Sequence, residues 1–321
     1  MTASPYSMAM SAATSSPETF EPSRRTTDFG PAAACRVCGG TLLNNLGRIH
    51  HPSPALVAGV PIDLGSIEFQ LLQCARCSFQ FKHPPIAESA LLACYAQANA
   101  AQWEDSPDPR KRRFDTLKQL LEQHAPGRRV LDVGCFNGAF LQFLGKDWTR
   151  FGIEPSRGAA SLASKRGVTI LGSTVDDIPT NVEPFDAIVL IDVIEHIADP
   201  LPLFKALRRM LTPRGIIVIG TGDADAWTWR LQTSRYWYCS LPEHVSFYYQ
   251  RTLWQIASAN RMDTLAHLRT SHVRSSAYTQ IRQAVVNLGY ELIHRCGGFR
   301  SRPAPGWLTA RDHMIHIMRA R

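Results

Sequence analysis

The chain has 321 residues, is 45% hydrophobic and 19% charged, and carries a formal net charge of +8. That make-up fits a water-soluble globular protein of one large or two smaller domains. No apolar run approaches the roughly 20 residues of a membrane span. The N-terminus also lacks the basic-then-apolar pattern of an export signal, so the expected location is cytoplasmic.

Residues 1–32 are rich in Ser, Thr, Pro and Ala without a hydrophobic period and are expected to form a disordered tail. Residues 33–85 hold two Cys-x-x-Cys pairs, Cys35/Cys38 and Cys74/Cys77. Paired spacing in a chain without an export signal points to metal binding rather than disulfides. Four thiolates surround one tetrahedral zinc and leave no open position, which predicts a structural ion. So small a unit has little core of its own, and the metal would supply much of its folding free energy. A strand is expected over 67–72, running into the second pair. Cys94, Cys135, Cys239 and Cys296 are isolated and read as small apolar residues.

Residues 86–128 form a helical connector and lid. A helix is expected over 86–97, then a Pro- and Asp-rich link over 103–109. An amphipathic helix over 110–124 follows, with Phe114, Leu117, Leu120 and Leu121 on one face, ended by Pro126-Gly127. Its start, Arg110-Lys111-Arg112-Arg113, is the one dense basic knot, readable as a solvated helix start or as a clamp for a substrate diphosphate.

From 129 onward strands and helices alternate. Strands are predicted at 129–133, 149–153, 168–171, 185–191 and 215–220, and helices at 138–145, 157–166 and 200–211. Short links between them imply a parallel sheet with helices on both faces. An aromatic-rich insertion spans 223–249, followed by a helix near 250–260 and strands near 263–268 and 313–319. The segment 284–293 is partly apolar, too short and too polar to span a membrane.

The first strand of this run breaks at Asp132-Val133-Gly134-Cys135-Phe136-Asn137-Gly138 and continues into a helix. A strand feeding a helix through a glycine turn presents backbone N–H groups to a ligand. The next strand ends in Glu154, whose carboxylate can accept from two ribose hydroxyls. A dinucleotide fingerprint needs a bare backbone where Phe136 stands, which argues against NAD or FAD. Asp132 can meet a cationic ammonium, directly or through water. S-adenosylmethionine has that ammonium, a ribose and no phosphate.

With these residues in view, the chain resembles the class I S-adenosylmethionine-dependent methyltransferases from about residue 110 to 320. The resemblance rests on the glycine turn, on Gly152-Ile153-Glu154-Pro155-Ser156, on Phe185 to His196, and on Leu211-Thr212-Pro213-Arg214-Gly215-Ile216-Ile217-Val218. It implies an α/β fold: a doubly wound, mostly parallel seven-stranded Rossmann-like sheet, with the zinc-binding unit appended at the N-terminus and the cofactor domain over 129–321. It further implies cofactor contacts at Asp132, Gly134, Cys135, Gly138 and Glu154, backbone contacts at Thr174 and Val175, an acid at Asp176 or Asp177 for the adenine amino group, and Asp192 facing the methyl group. Two departures stand out: Phe136, where the family usually has glycine, and Arg214-Gly215, where it usually has two glycines.

Methyl transfer is an in-line displacement in which the protein mainly aligns the partners. An unactivated hydroxyl or an acidic C–H also needs a base. The candidate is Glu243-His244, in the insertion after the fifth strand of the sheet, where a histidine of near-neutral pKa beside a carboxylate suits proton abstraction. This segment resembles a Glu-His motif of zinc-bearing sugar C-methyltransferases, which also begin with paired Cys-x-x-Cys knuckles. A second pair, Glu195-His196, suits a supporting role. Trp227, Trp229, Tyr236 and Trp237 can wall an acceptor pocket or pack the core.

The expected activity is therefore methylation, at carbon or oxygen, of a small polar metabolite such as a sugar or sugar nucleotide. One alternative is an RNA methyltransferase gripping its substrate through the zinc unit. That reading is disfavoured because only Arg36, Arg76 and Lys82 accompany the knuckles. The other is a non-catalytic zinc adaptor. The sequence does not fix the oligomeric state.

Overall fold

The computed structural model describes residues 34–98, 111–271, 276–298 and 311–321. The tail 1–32, the link 103–109, Arg110, and the side chains of Lys111 and Arg112 lie outside the described residues. In chain order the N-terminal part contains β1 (Leu43–Arg48), β2 (Leu56–Val57), β3 (Val60–Pro61), β4 (Gln70–Cys74), β5 (Gln80–His83) and α1 (Glu88–Gln97). There follow α2 (Lys111–His124), β6 (Arg129–Val133), α3 (Ala139–Leu144), β7 (Thr149–Ile153), α4 (Arg157–Lys165), β8 (Thr169–Gly172), β9 (Phe185–Ile191), α5 (Pro200–Arg209) and β10 (Leu211–Gly222). The C-terminal part adds α6 (Trp227–Gln232), α7 (Trp237–Ser240), β11 (Ser246–Phe247), α8 (Gln250–Ala259), β12 (Met262–Thr270), α9 (Ala277–Arg295) and β13 (His313–Ala320).

Seven strands form one sheet in the order β12-β13-β10-β9-β6-β7-β8. The pairs β10–β9, β9–β6, β6–β7 and β7–β8 are parallel. β13 alone runs the other way, antiparallel to both β10 and β12. This is the doubly wound, mostly parallel sheet expected from the sequence. The chain winds outward from β6 to β8 and then returns to β9 on the other side of β6. That reversal opens a crevice at the C-terminal ends of β6 and β9, where open α/β sheets bind ligands.

Both faces of the sheet are buried, which is why its strands are nearly continuous apolar runs. Alternate side chains divide between two cores. Val130, Val189, Val218 and Ile317 pack against Phe114, Leu117 and Leu121 of α2 and against Phe140 and Leu141 of α3. Leu131, Ile188, Ile217 and Ile219 pack against Phe204 and Leu207 of α5 and Leu253 and Ile256 of α8. Each such leucine or isoleucine contributes about 1.5–3 kcal/mol by leaving water.

The cysteine-bearing unit is built into this body. Its four-stranded sheet has the order β1-β4-β5-β11, so its last strand comes from residues 246–247. Ser246 pairs with Phe81 and Phe247 with Gln80. Cys35, Cys74 and Phe79 belong to the same core as α5 and α8. Two side-chain bonds add to the seam: Thr252 Oγ1 donates to the Cys77 carbonyl at 2.9 Å, and Arg36 donates to the Ala198 carbonyl at 3.0 Å.

The observed elements differ from the expected ones in several places: β1, β2, β3, β5, β11, α6 and α7 were not anticipated, and the strand expected over 67–72 is β4, Gln70–Cys74. β10 begins at Leu211, four residues early, because Leu211 already pairs with Phe185 before the register shifts ahead of Ile216. The long helix α9 was not anticipated as a helix, because most of its apolar residues are exposed. No helix among the described residues is long and apolar enough to cross a membrane.

Candidate active site

At the end of β6 the backbone turns at Gly134 (φ +72°) and enters α3 at Gly138 (φ +74°). A Cβ at Gly134 would lie 2.7 Å from Val193 Cγ2, and one at Gly138 2.9 Å from the Ala163 backbone, so both positions require glycine. Phe136 between them also has positive φ, +47°, which explains why glycine is the easier residue there. Its amide donates to Glu154 Oε2 at 2.8 Å, and the Ser156 amide donates to Oε1 at 2.8 Å. Glu154 thus ties the end of β7 to the turn. Its burial raises its pKa against the opposing pull of the two amides. Each oxygen keeps a second lone pair for a ligand hydroxyl.

Asp132 is 3% exposed in the same turn region. The Cys135 thiol is a packing group: a Cβ on Gly152 would lie 2.5 Å from its Sγ, and burial raises its pKa. Only the Cys135 backbone belongs to the turn, where its amide donates to the Ile153 carbonyl. After β8, Asp177 Oδ2 accepts from the amides of Ser173 and Thr174 and from the Thr174 hydroxyl. Those bonds lower its pKa and make it the cap of its own loop. Val175 packs partly buried against the core.

Asp192, just beyond β9, has positive φ (+54°), and both its carboxylate oxygens accept from Arg113 Nη2, at 3.0 and 3.1 Å. Arg113 is 8% exposed. The end of the basic knot therefore points inward to Asp192 rather than forming a solvated start.

Beside Asp192 lies a connected polar network. The buried Glu195 accepts from the Tyr238 hydroxyl at 2.5 Å and from the Thr221 hydroxyl at 2.8 Å. Burial raises its pKa. His196 Nε2 lies 3.1 Å from the Asp192 carbonyl, and its Nδ1 lies 2.9 Å from the Tyr95 hydroxyl and 3.1 Å from the Glu243 carbonyl. Each ring nitrogen thus faces a carbonyl, which accepts only, and the Tyr95 hydroxyl completes the set around Nδ1.

The His244 ring stands 4.9 Å from that of His196 and 3.9 Å from that of Tyr238. Its Nδ1 lies 3.1 Å from the Tyr238 carbonyl, so Nδ1 carries the proton and Nε2 the lone pair. The sequence suggested a histidine of near-neutral pKa. Instead, burial, with the neighbouring His196 and Lys82 beside it, holds His244 well below the usual range. Glu243 supplies its carbonyl to His196, and its Oε2 is buried with no hydrogen-bond partner among the described residues.

The loop carrying this pair is fixed by Lys82 from β5. Its Nζ donates to the carbonyls of Leu241 at 2.5 Å and Pro242 at 3.4 Å, and its amide to that of Val245 at 3.0 Å. Burial lowers the Lys82 pKa to about 7. Tyr95, Tyr238 and Lys82 were not picked out from the sequence as site residues. They carry no motif, and Tyr95 is 101 positions from its partner His196. Trp229 and Tyr236 are fully buried in the core under the insertion, stacked at 4.8 Å, whereas Trp227 is exposed.

Cys35, Cys38, Cys74 and Cys77 converge with all four sulfurs within 4.8 Å of one another. Cys35–Cys77 and Cys38–Cys74 are separated by 3.4 and 3.5 Å. A tetrahedral zinc–thiolate site, with Zn–S near 2.3 Å, has sulfur–sulfur edges of about 3.8 Å, so the four residues fit that ion. Glu195, His196 and His244 also cluster. Both Glu195 oxygens and both His196 nitrogens already sit in the hydrogen bonds above, so these residues form a network rather than a metal centre.

Residues 107–260 match the family model described as "Methyltransferase domain". An uncharacterised protein of Mycobacterium bovis is 33% identical over 121 residues, 37% of this chain and 41% of that protein. The ubiquinone biosynthesis O-methyltransferase of Cereibacter sphaeroides is 34% identical over 102 residues, 30% of this chain and 41% of that enzyme. The chain thus spans less than half the length of these curated relatives. Among solved structures, a chain of the complex between the Haloferax volcanii Trm112 methyltransferase activator and a methyltransferase superposes with a TM-score of 0.50 at 17% identity. It covers 69% of this chain and 95% of its own, a likeness of fold. The segment matched by the family model contains the glycine turn and the parallel strands β6 to β10.

Proposed function

We propose that the protein transfers a methyl group from S-adenosylmethionine to a small polar acceptor, a sugar or sugar nucleotide. The supporting observation is the His196–His244–Tyr95 network with the Glu243 Oε2 that has no partner among the described residues, at the ligand-binding edge of the parallel sheet. When bound, S-adenosylmethionine supplies an electrophilic methyl on a sulfonium. The Gly134–Gly138 turn, Asp132 and the remaining lone pairs of Glu154 would hold it. The Thr174 amide is engaged by Asp177, which puts the adenine contact on the Val175 backbone and leaves Asp177 to shape that loop.

His244 Nε2 takes the acceptor proton, and Glu243 Oε2 orients the acceptor hydroxyls. Because burial keeps His244 neutral, it holds a lone pair at every pH near neutrality. Tyr95 and the Glu195–Tyr238 pair fix the orientation of the two histidines. The four cysteines hold a structural zinc, one ion per chain. An RNA substrate is disfavoured by the cations near the knuckles: Arg36 is bonded to Ala198 and Lys82 is buried, which leaves Arg76 facing solvent.

The test is calorimetric titration of the zinc-loaded protein with S-adenosylmethionine, paired with turnover of His244→Ala on a panel of sugar nucleotides. Micromolar binding, with turnover reduced about a hundredfold or more in the variant, is expected for loss of a general base. Absence of binding by folded protein overturns the activity, and turnover within a fewfold of the parent overturns the base.

A further inference from the structure

From the end of α7 to the start of β11 the chain has no regular structure, so its carbonyls need donors from elsewhere. The Ser240 carbonyl faces His51 Nδ1 at 2.8 Å. Those of Leu241 and Pro242 accept from Lys82 Nζ, and that of Val245 from the Lys82 amide. The Glu243 carbonyl lies against His196, and the Leu241 carbonyl also takes the His244 amide. Two residues of the cysteine-bearing unit therefore hold the backbone on both sides of His244.

These two residues sit on different arms of that unit. His51 lies just beyond β1, the strand that follows Cys35 and Cys38, and Lys82 lies in β5, which follows Cys74 and Cys77. The closest sulfur pairs, Cys35–Cys77 and Cys38–Cys74, each join one arm to the other. Thiolates brought this close repel one another unless a cation lies between them. β1 buries one residue of its own, Leu43, and its pairing with β4 shifts between Asn45 and Arg48. Ile49 and Phe69 seat the end of the arm, with the His51 ring edge-on to that of Phe69 at 5.1 Å.

The His51 bond reaches outside its own unit, to a carbonyl 189 positions away. A carbonyl accepts only, so Nδ1 carries the proton. Burial, with Lys82 beside it, lowers the His51 pKa to about 3, so the ring is neutral near pH 7 and the bond does not depend on its charge.

We propose that metal binding by the four cysteines is coupled to the placement of His244, with His51 and Lys82 acting as positioning residues on the loop that carries it. Its catalytic meaning rests on the reading of His244 as the base, but the coupling itself is measurable without turnover. Coupling is reciprocal, so removing either donor also weakens the hold on the metal.

The test is amide hydrogen exchange of the full chain, zinc-loaded and after chelation, followed over 240–247 with β6 and β9 as internal references. Chelation is expected to speed exchange in the loop at least about tenfold while β6 and β9 keep their protection. In the zinc-loaded protein His51→Phe, which keeps a ring beside Phe69 and loses the donor, should loosen the same loop and lower zinc affinity about fivefold, read by competition with a chromophoric chelator. His51→Asn, whose amide can donate from near the place of Nδ1, should restore protection to within about threefold. A loop unmoved by chelation overturns the proposal, as does equal loss in β6 and β9, which would make the metal a support of the whole fold. Parent-like exchange in His51→Phe, or no recovery in His51→Asn, overturns the part assigned to His51. If His244→Ala retains turnover, the base assignment falls and the exchange result stands.

Discussion

Lys82 Nζ donates to the Leu241 carbonyl at 2.5 Å, joining the strand that follows the second cysteine pair to the loop that carries Glu243 and His244. The donor is 1% exposed, and its pKa is drawn down to about 7 by burial, so the bond is made in a water-free setting. Replacing it by Lys82→Met removes the donor from both carbonyls, of which that of Leu241 keeps the His244 amide at 3.2 Å, a cost of about 1–3 kcal/mol. The expected result is a turnover reduced about tenfold with the affinity for S-adenosylmethionine unchanged, read by steady-state kinetics beside calorimetry. Equal losses in both would make Lys82 a general stability residue only.

The Tyr95 hydroxyl lies 2.9 Å from His196 Nδ1 and helps to orient that imidazole against His244. Tyr95→Phe keeps the ring, its edge contact with His196 and the burial, and deletes one hydroxyl. Turnover should fall about tenfold or more at unchanged melting temperature, the size of effect seen when one positioning bond is lost. A variant as active as the parent removes Tyr95 from the site.

Arg113 and Asp192 form a largely buried ion pair in which each group depends on the other. Burial alone would disfavour the Arg113 charge, but Asp192 more than compensates and holds its pKa above the usual value. Arg113→Met strands the carboxylate and should destabilise the fold by about 3 kcal/mol. Arg113→Met/Asp192→Asn should recover much of that loss. Urea denaturation of the parent, the two single variants and the double variant gives the coupling. Additive losses would mean that the pair contributes no mutual stabilisation.

Three histidines make the fold acid-sensitive. His51 and His316 are lowered to about 3 by burial, and His244 lies well below its usual range. An unfolded histidine titrates near 6.5. Between that value and about pH 3 the unfolded chain therefore binds more protons than the folded one, and unfolding free energy rises with pH. Stability is at its plateau above about pH 6.5 and falls below it, by up to about 1.4 kcal/mol per pH unit for each histidine. Denaturation midpoints at pH 7.5, 6 and 5 should decline in step. A flat profile would place these side chains in contact with water.

The parallel sheet was legible because its signals are local. Strands such as Phe185–Ile191 are continuous apolar runs, and the Gly134 and Gly138 positions follow from backbone sterics alone. The convergence of Cys35, Cys38, Cys74 and Cys77 was equally legible, since few arrangements bring two knuckles so close. The site was legible only in outline. Glu243-His244 could be singled out, but the depressed pKa of His244 comes from neighbours contributed by distant segments. The role of Asp177 as a loop cap depends on bonds to Ser173 and Thr174 that the residue types alone leave open. α9 was not read as a helix because hydrophobic patterning presumes that apolar residues face inward, and here Asn287 and Glu291 are buried beside Tyr290 while most of the apolar residues are exposed.

The pairing of β5 with β11 has a practical consequence for anyone recombining such proteins. Residues 33–85 look in the sequence like a cassette that could be cut at a loop and moved to another scaffold. A graft made at that boundary would carry an unfinished sheet edge and leave Lys82 without the carbonyls it binds. The transferable module is discontinuous: it includes residues 241–252, and with them the loop that carries the proposed base.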